Sequence, residues 1–390
     1  MAKSSSSHSI AFAGDGIASR AMALALAQMG WASTIIAPKS QKLVGGIQLA
    51  PNGWAALNKL GLDQLGMGDD LQPHAIPLAM MRLLSLSTGN SLVHIPLNDR
   101  VNRTPYTSMT RQGLAASLKA AAQKTKKVAW QTGIITAVSC QNNCATMTFK
   151  DGQTEVVDWL IGGDGIDGVC RRYVAADDHA APQAYSRKAF RLVLPAKDCP
   201  HNLTARASNV WLGDGGHFVH YPIATGDVNL VAVMPKAADL DDLARLVSQH
   251  PQGDFLADFV TQHRDQINQQ PLYALPQLDA MQRQRVLVIG DAAHPMPPHL
   301  AQGAGQTLID AASLMTTLSD MNINPGDDLQ PAFTRWAGER NRQTRAVRLN
   351  AERAGKIFGL DGPLAQLRNL GLATIGGRVL TKQLEEIWSA

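Results

Sequence analysis

The chain has 390 residues, of which 45% are hydrophobic and 17% charged, with a formal net charge of +4 at pH 7. That is ample apolar material for a large core, so disorder is excluded. The weak net charge, with no basic stripe, excludes a nucleic-acid footprint. Gly at 33 and Pro at 20 point instead to many turns and close backbone approaches. The basic residues Arg335, Arg340, Arg342, Arg345, Arg348 and Arg353 are interspersed with polar and apolar ones and read as the wet face of a helix. Cys140, Cys144, Cys170 and Cys199 lack further Cys or His at ligand spacing, so no metal site is expected. They read as reduced thiols of a cytoplasmic protein. The apolar residues 21–27 follow Asp15 and Arg20 without a charged leader directly before them, so no signal peptide is expected. No apolar run of about 18 residues exists, and no membrane span is expected.

In chain order, residues 1–8 form a polar tail and residues 9–13 a short apolar strand. Glycines follow, then an apolar-rich helix to Met29 that Gly30 stops. Residues 33–37 are a second, β-branched strand. This strand–turn–helix–strand order makes a right-handed parallel unit. A helix runs from Asn52 to Gly61, and another over 111–124. Residues 127–158 read as strands, with turns at 141–143 and 151–152. Strands continue over 181–240, and residues 240–269 read as helical. Residues 285–289 are a fully apolar strand of the buried parallel type. Helices are expected over 306–318 and over most of the chain from Pro331.

Three apolar strands thus each deliver a loop rich in Gly and Asp. Nucleotide-binding folds need such loops at the carboxyl ends of their strands. The first is Gly14-Asp15-Gly16-Ile17-Ala18-Ser19. Gly14 permits the tight turn, and Gly16 lets the backbone approach a pyrophosphate at the following helix N-terminus. Ser19 holds the place of a third small glycine, so slightly looser helix–strand packing is expected. An acid after the second strand would bind ribose hydroxyls, yet Ala37, Pro38 and Lys39 stand there. The second loop runs from Gly162 to Gly168 with Asp164 and Gly165 inside it, followed by Arg171 and Arg172. The third is Gly290-Asp291-Ala292-Ala293-His294-Pro295, continuing through Pro298, His299 and Gln302-Gly303-Ala304-Gly305, with Asp310 in the next helix.

Together these loops resemble the three fingerprints of the single-component FAD-dependent aromatic hydroxylases, in particular the salicylate and 6-hydroxynicotinate monooxygenase branch. The resemblance runs nearly end to end. Smaller matches are residues 46–52, the helix-opening Arg111, the segment Trp211–Pro222 and the tail 359–369. It implies an α/β fold like that of p-hydroxybenzoate hydroxylase, with a Rossmann-like FAD-binding domain, an interleaved β-sheet substrate domain and C-terminal helices. The corresponding segments are 1–72, 101–180 and 276–330 for the first, 73–100 and 181–275 for the second, and 331–390 for the third. It implies FAD as cofactor and NADH or NADPH as reductant. The partners are O2 and a small aromatic or N-heteroaromatic substrate, hydroxylated through a flavin hydroperoxide, in a monomer or homodimer.

The resemblance also implies roles. Gly14, Gly16, Ser19, Arg111, Asp164 and Gly165 would contact FAD. Asp291 would hold a ribitol hydroxyl, and the amides of Gly303, Ala304 and Gly305 the carbonyl edge of the flavin. A helix N-terminus stabilises the negative charge of reduced flavin. Asp164 and Asp291 can equally serve as helix caps. Gln48, Arg191 and Pro298 are candidates for substrate contact. In the period-two strand 216–222, His217, Val219 and Tyr221 share one face, and Phe218 and His220 the other. His217, Tyr221 and His299 are therefore the candidate catalytic residues, although strand histidines and tyrosines often only pack. His220 is assigned to structure and His294 to support of the third loop. Two other readings remain: another flavin oxidoreductase such as a halogenase or reductase, and a degenerate protein that binds flavin loosely. A tryptophan-rich insertion that would favour a halogenase is not seen.

Overall fold

Three short strands of apolar sequence, Ile10–Ala13, Trp159–Gly162 and Val286–Val288, lie side by side and in parallel in a computed structural model of the chain. The structure describes residues 9–39, 43–62, 75–97, 104–176, 183–274 and 277–389. Every residue of these three strands is buried, as expected of strands covered on both faces. Ser33–Ala37 and Val128–Thr132 extend the parallel sheet on one side, and the antiparallel pair Gln282–Arg283 closes the other. Phe12, Ile35, Leu160, Ile161 and Leu287 reach zero exposure. Each such side chain contributes about 1.5–3 kcal/mol by leaving water.

The helix Ile17–Gln28 is buried without a break from Ser19 to Ala27. Its alternation of Ala with Met and Leu lets it lie closely against the sheet and against the helix Gly303–Asp320. The helix Pro51–Lys59 packs on that same helix. A Cβ at Gly53 would overlap the Leu49 side chain and come within 3.2 Å of the Gly305 Cα, so a glycine sets this approach.

A second sheet has seven strands in the order Asn268–Ala274, Gln183–Leu194, Val228–Pro235, His217–Pro222, Ala207–Leu212, Met80–Ser85, Ser91–Pro96. Its pairs are antiparallel except Ala207–Leu212 with Met80–Ser85. One face carries Phe190, Trp211, Phe218 and Leu230 against the helices Leu240–Val247 and Gly253–Gln262. The expectation of helix throughout 240–269 is corrected here: the chain breaks at Pro251 between the two helices and enters a strand at Asn268. The strands at 80–85 and 91–96 lie in the segment 73–100 expected to belong to the β-sheet substrate domain, for which the sequence places no individual strand. The C-terminal helices Gln330–Phe358, Gly362–Gly371 and Gly377–Ser389 close the structure against both sheets.

Candidate active site

The three neighbouring parallel strands bring the three glycine loops to one edge of the sheet. At Gly14 φ is +94°, and a Cβ would stand 2.7 Å from the Gly163 carbonyl oxygen, so only glycine fits. Gly16 is the N-cap of the helix Ile17–Gln28. Asp15 between them is ion-paired to Arg20 through two contacts of 2.7 Å. Arg20 also donates to the Ala115 carbonyl at 2.6 Å, and Trp130 donates to Asp15 at 3.3 Å. The looser packing expected at Ser19 is corrected: its side chain is fully buried and fills space that Gly163 leaves for want of a Cβ. Its hydroxyl has no hydrogen-bond partner among the described residues. At the end of the second strand, Ala37 is half-buried, Pro38 and Lys39 are exposed, and no carboxylate stands there.

In the second loop Asp164 accepts from the Cys170 amide at 3.0 Å and so does cap the helix Val169–Ala175. Burial pushes its carboxyl pKa up, against the lowering effect of these amides. Gly165, with φ +82°, faces open space where a Cβ would go. Arg171 is buried and donates to the carbonyls of Ala292 and Ala293 at 2.8 and 3.3 Å. It thereby ties the second loop to the third.

The third loop is organised by Asp310. One carboxylate oxygen accepts from the Gly290 amide at 3.0 Å and meets His294 Nε2 at 2.7 Å; the other meets Arg340 Nε at 2.9 Å. Burial alone would raise the Asp310 pKa, but His294 and Arg340 together with the hydrogen bonds outweigh it and hold it low. Arg340 also donates to the backbone and side chain of Gln306 at 3.2 and 2.9 Å. The wet-face reading of the C-terminal arginines is therefore corrected at Arg340, which is 2% exposed, while Arg335, Arg342, Arg345 and Arg353 are exposed. His294 supports the loop. Asp291 projects from the turn Gly290–Ala292 into solvent. Gly303, Ala304 and Gly305 open the helix Gly303–Asp320, with no acidic residue in its first turn and open space beside Gly303.

Next to this edge lies a cavity of about 70 Å³. It is lined by Gln48, Tyr106 and Ser208, by His217, Val219, Val231 and Val233 of the seven-stranded sheet, by Pro298 to Ala301, and by Phe358, Leu380 and Leu384 of the C-terminal helices. The rings of His217 and His299 are 5.2 Å apart, and Phe358 stands 5.3 and 6.3 Å from them. The Nδ1 of each has no partner among the described residues. Burial drives the His217 pKa well below its ordinary value, helped by His299 and the cations Arg187 and Arg368. Burial and Arg187 bring His299 down to about 4. Both imidazoles are therefore neutral at neutral pH. His299 sits in a notch of the helix Gln330–Phe358: a Cβ at Gly355 would overlap its ring.

The expected convergence of His217 with Tyr221 is corrected. They share a strand face, but Tyr221 is not among the residues lining the cavity. It is hydrogen-bonded to Gln48 and Asn229 and lies near Arg111 and Arg191; burial pushes its hydroxyl up to about 12. Gln48 also accepts from Tyr106 at 2.9 Å. Arg191 does not line the cavity either; it lies among Arg111, Tyr221 and Asp291, on the side of the glycine loops, and burial lowers its pKa. Pro298 and Gln48 do line the cavity. His220 packs on the opposite sheet face with Phe218 and His250, and burial takes it down to about 3.

Residues 60–324 match the family model described as "FAD binding domain". The chain belongs to that FAD-binding family. Open glycines at closest approach, an acid-free helix N-terminus and the projecting Asp291 all fit such a dinucleotide. Relatives of this FAD-binding protein include the 3-hydroxybenzoate 6-hydroxylase of Polaromonas naphthalenivorans, 28% identical over 92% of this chain and 90% of that protein. The 6-hydroxynicotinate 3-monooxygenase of Pseudomonas fluorescens is 27% identical over 90% of each. Klebsiella pneumoniae HpxO, solved with FAD and uric acid, superposes with a TM-score of 0.81 at 20% identity, covering 98% of this chain and 97% of that one. Among the described residues no helix is long and apolar enough to cross a membrane.

Sequence reasoning missed the Asp310–Arg340 pair, Tyr106, and the walls Phe358, Leu380 and Leu384. The Gly-Asp-Ala-Ala-His-Pro run signalled the loop, but nothing local signalled the distant arginine that anchors it.

Proposed function

We propose that this FAD-binding protein is an NAD(P)H-dependent monooxygenase that hydroxylates a small, single-ring aromatic or N-heteroaromatic compound. The observation that carries this is the pair of neutral histidines, His217 and His299, set in a largely apolar pocket beside the third glycine loop. Relatives that the chain spans almost entirely are named for such hydroxylations. When bound, FAD would supply acceptance of a hydride from the reduced nicotinamide and activation of O2.

The chain's own residues would do the rest. Gly14, Gly16 and Gly165 would let the backbone approach the pyrophosphate. Asp291 would hold a ribitol hydroxyl, Arg111 would contact the flavin, and the amides of Gly303, Ala304 and Gly305 would face its carbonyl edge. Ser19 and Asp164 act on the cofactor through the loops they shape, since both are committed to packing and capping. A ring nitrogen of His217 or His299 would accept a hydrogen bond from a substrate hydroxyl and so orient it, because the neutral imidazole has a free lone pair. Tyr221, kept protonated by burial, would hold Gln48 in place. The apolar walls exclude water from the reacting ring. A cavity of about 70 Å³ admits a compact ring only with some give, since a site that holds benzene measures ~150 Å³. The unpaired cysteines Cys140, Cys144, Cys170 and Cys199 suit a reducing cytoplasm.

The test is NADH and NADPH oxidation by the FAD-loaded chain, with and without hydroxylated aromatics, with products identified by mass. Stimulated oxidation with an added oxygen atom in the product supports the reading. A flavin that is reduced and reoxidised without ever modifying an aromatic refutes it and leaves a reductase of the same fold.

A further inference from the structure

The lining of the cavity holds five polar side chains, Gln48, Tyr106, Ser208, His217 and His299, and no Asp, Glu, Lys or Arg among the described residues. The remainder is aliphatic or aromatic: Met81, Leu83, Val210, Val219, Val231 and Val233 from the sheet, with Leu300, Phe358, Leu380 and Leu384 opposite. The cations nearest the histidines are committed elsewhere. Arg187 donates to the carbonyls of Gly215 and Gly359 at 2.6 and 2.7 Å. Arg368 donates to the carbonyls of Phe358, Leu360 and Gly213 at 2.9, 3.3 and 3.0 Å. Arg191 and Arg111 belong to the group around Asp291.

An ionised carboxylate entering this cavity would give up its hydration and find no cation in the lining among the described residues to replace it. Such a transfer is strongly unfavourable unless the charge is paired. Before a ligand enters, burial keeps both imidazoles unprotonated at neutral pH, so a carboxylate would find a positive partner there only by bringing a proton in with it. A hydroxyl or ring nitrogen is different. It needs only a hydrogen-bond partner, and the histidines, Gln48 and Ser208 offer several.

Resting on the hydroxylase reading above, we propose that the substrate is an uncharged, monocyclic hydroxy-arene or hydroxy-heteroarene, and that the cavity selects against ring carboxylates. The chain would then part from the relatives named for benzoates and nicotinates at the level of substrate charge, with the flavin edge and the histidine pair kept.

The test uses the full chain loaded with FAD. Three ligands are titrated in each ring position: hydroxybenzoate, the hydroxybenzamide of near-equal size, and the smaller methylphenol. Binding is read from the flavin absorption change, and turnover from the hydroxylated product. The amide separates charge from shape, because it is close to isosteric with the carboxylate. The expected result is at least tenfold tighter binding of the amide or methylphenol than of the carboxylate in the positional series that binds best, with hydroxylation of the neutral compound. A carboxylate that binds as tightly as its amide, and is itself hydroxylated, overturns the charge selection and leaves the hydroxylase reading intact. Absence of binding and product in all three series overturns both.

Discussion

On the flavin side of the cleft, side chains buried beneath the loops fix them: Asp310 holds Gly290, His294 and Arg340, and Arg171 joins the second loop to the third. On the adenosine side, the second strand ends in Ala37, Pro38 and Lys39 with no carboxylate, and the first loop carries Asp15, an acid neutralised by Arg20. Both sides lie on the same parallel sheet, so the scaffold does not account for the difference. Where atoms must be placed for chemistry, the chain spends buried charge on rigidity. At the end of the second strand no carboxylate stands among the described residues. The contrast predicts that cofactor retention and cofactor positioning can be altered separately.

The largest effect should follow removal of the anion beneath the flavin side. Asp310→Asn leaves Arg340 buried without a counter-charge, and a loss of about 3–5 kcal/mol in unfolding free energy is expected. Urea titration reads it directly; an unchanged midpoint would mean that the network is not what holds the loop. Next come the histidines. His217→Asn or His299→Asn should lower kcat by roughly 10²-fold, the scale expected when a substrate loses its orientation, with FAD affinity unchanged. Because burial brings His299 down to about 4 and His217 well below 6.5, both should keep a lone pair for hydrogen bonding through neutral pH, and His299 should lose it only as pH falls toward 4. Stability carries the same sign: between pH 6.5 and about 4 the unfolded chain takes up a proton at His299 that the folded one refuses, so acidification through that window destabilises. A rate profile with an inflection near 6.5 would contradict both statements.

On the adenosine side the effects should be smaller and of opposite direction. Ala37→Glu supplies the missing ribose acceptor, and FAD should bind about tenfold tighter, near the lower limit for one charged hydrogen bond. Dialysis followed by flavin absorbance measures it; wild-type protein that already keeps stoichiometric FAD through long dialysis would show that nothing is missing there. The smallest change is Ser19→Ala. It removes a buried hydroxyl without a partner among the described residues and should raise stability by about 1 kcal/mol. A loss instead would reveal a partner for that hydroxyl.

Much of the flavin side was legible because its signals are local. Fully apolar strands ending in glycine announce buried parallel strands and turns, and the loops at 14–19, 162–168 and 290–305 follow in contiguous sequence. What was not legible depends on how distant elements cross. Arg340 looks like its solvated neighbours along the helix, and only the crossing of Gln330–Phe358 over Gly303–Asp320 brings it to Asp310. Strand parity put Tyr221 on the same face as His217 but could not say that only His217 of the two lines the cavity. Leu380 and Leu384 line the cavity from a helix whose sequence carries no chemical signature at all.

The notch at Gly355 has a consequence for how this protein tolerates change. His299 keeps its place in the cavity because one helical position, more than fifty residues downstream, lacks a methyl group. Alanine there is a good helix former and would pass unnoticed in any tally of helix propensity. It would nonetheless push the imidazole aside while leaving both sheets and the first two glycine loops untouched. In a randomly mutagenised library, yellow but inactive clones should therefore cluster at a glycine that touches neither cofactor nor substrate.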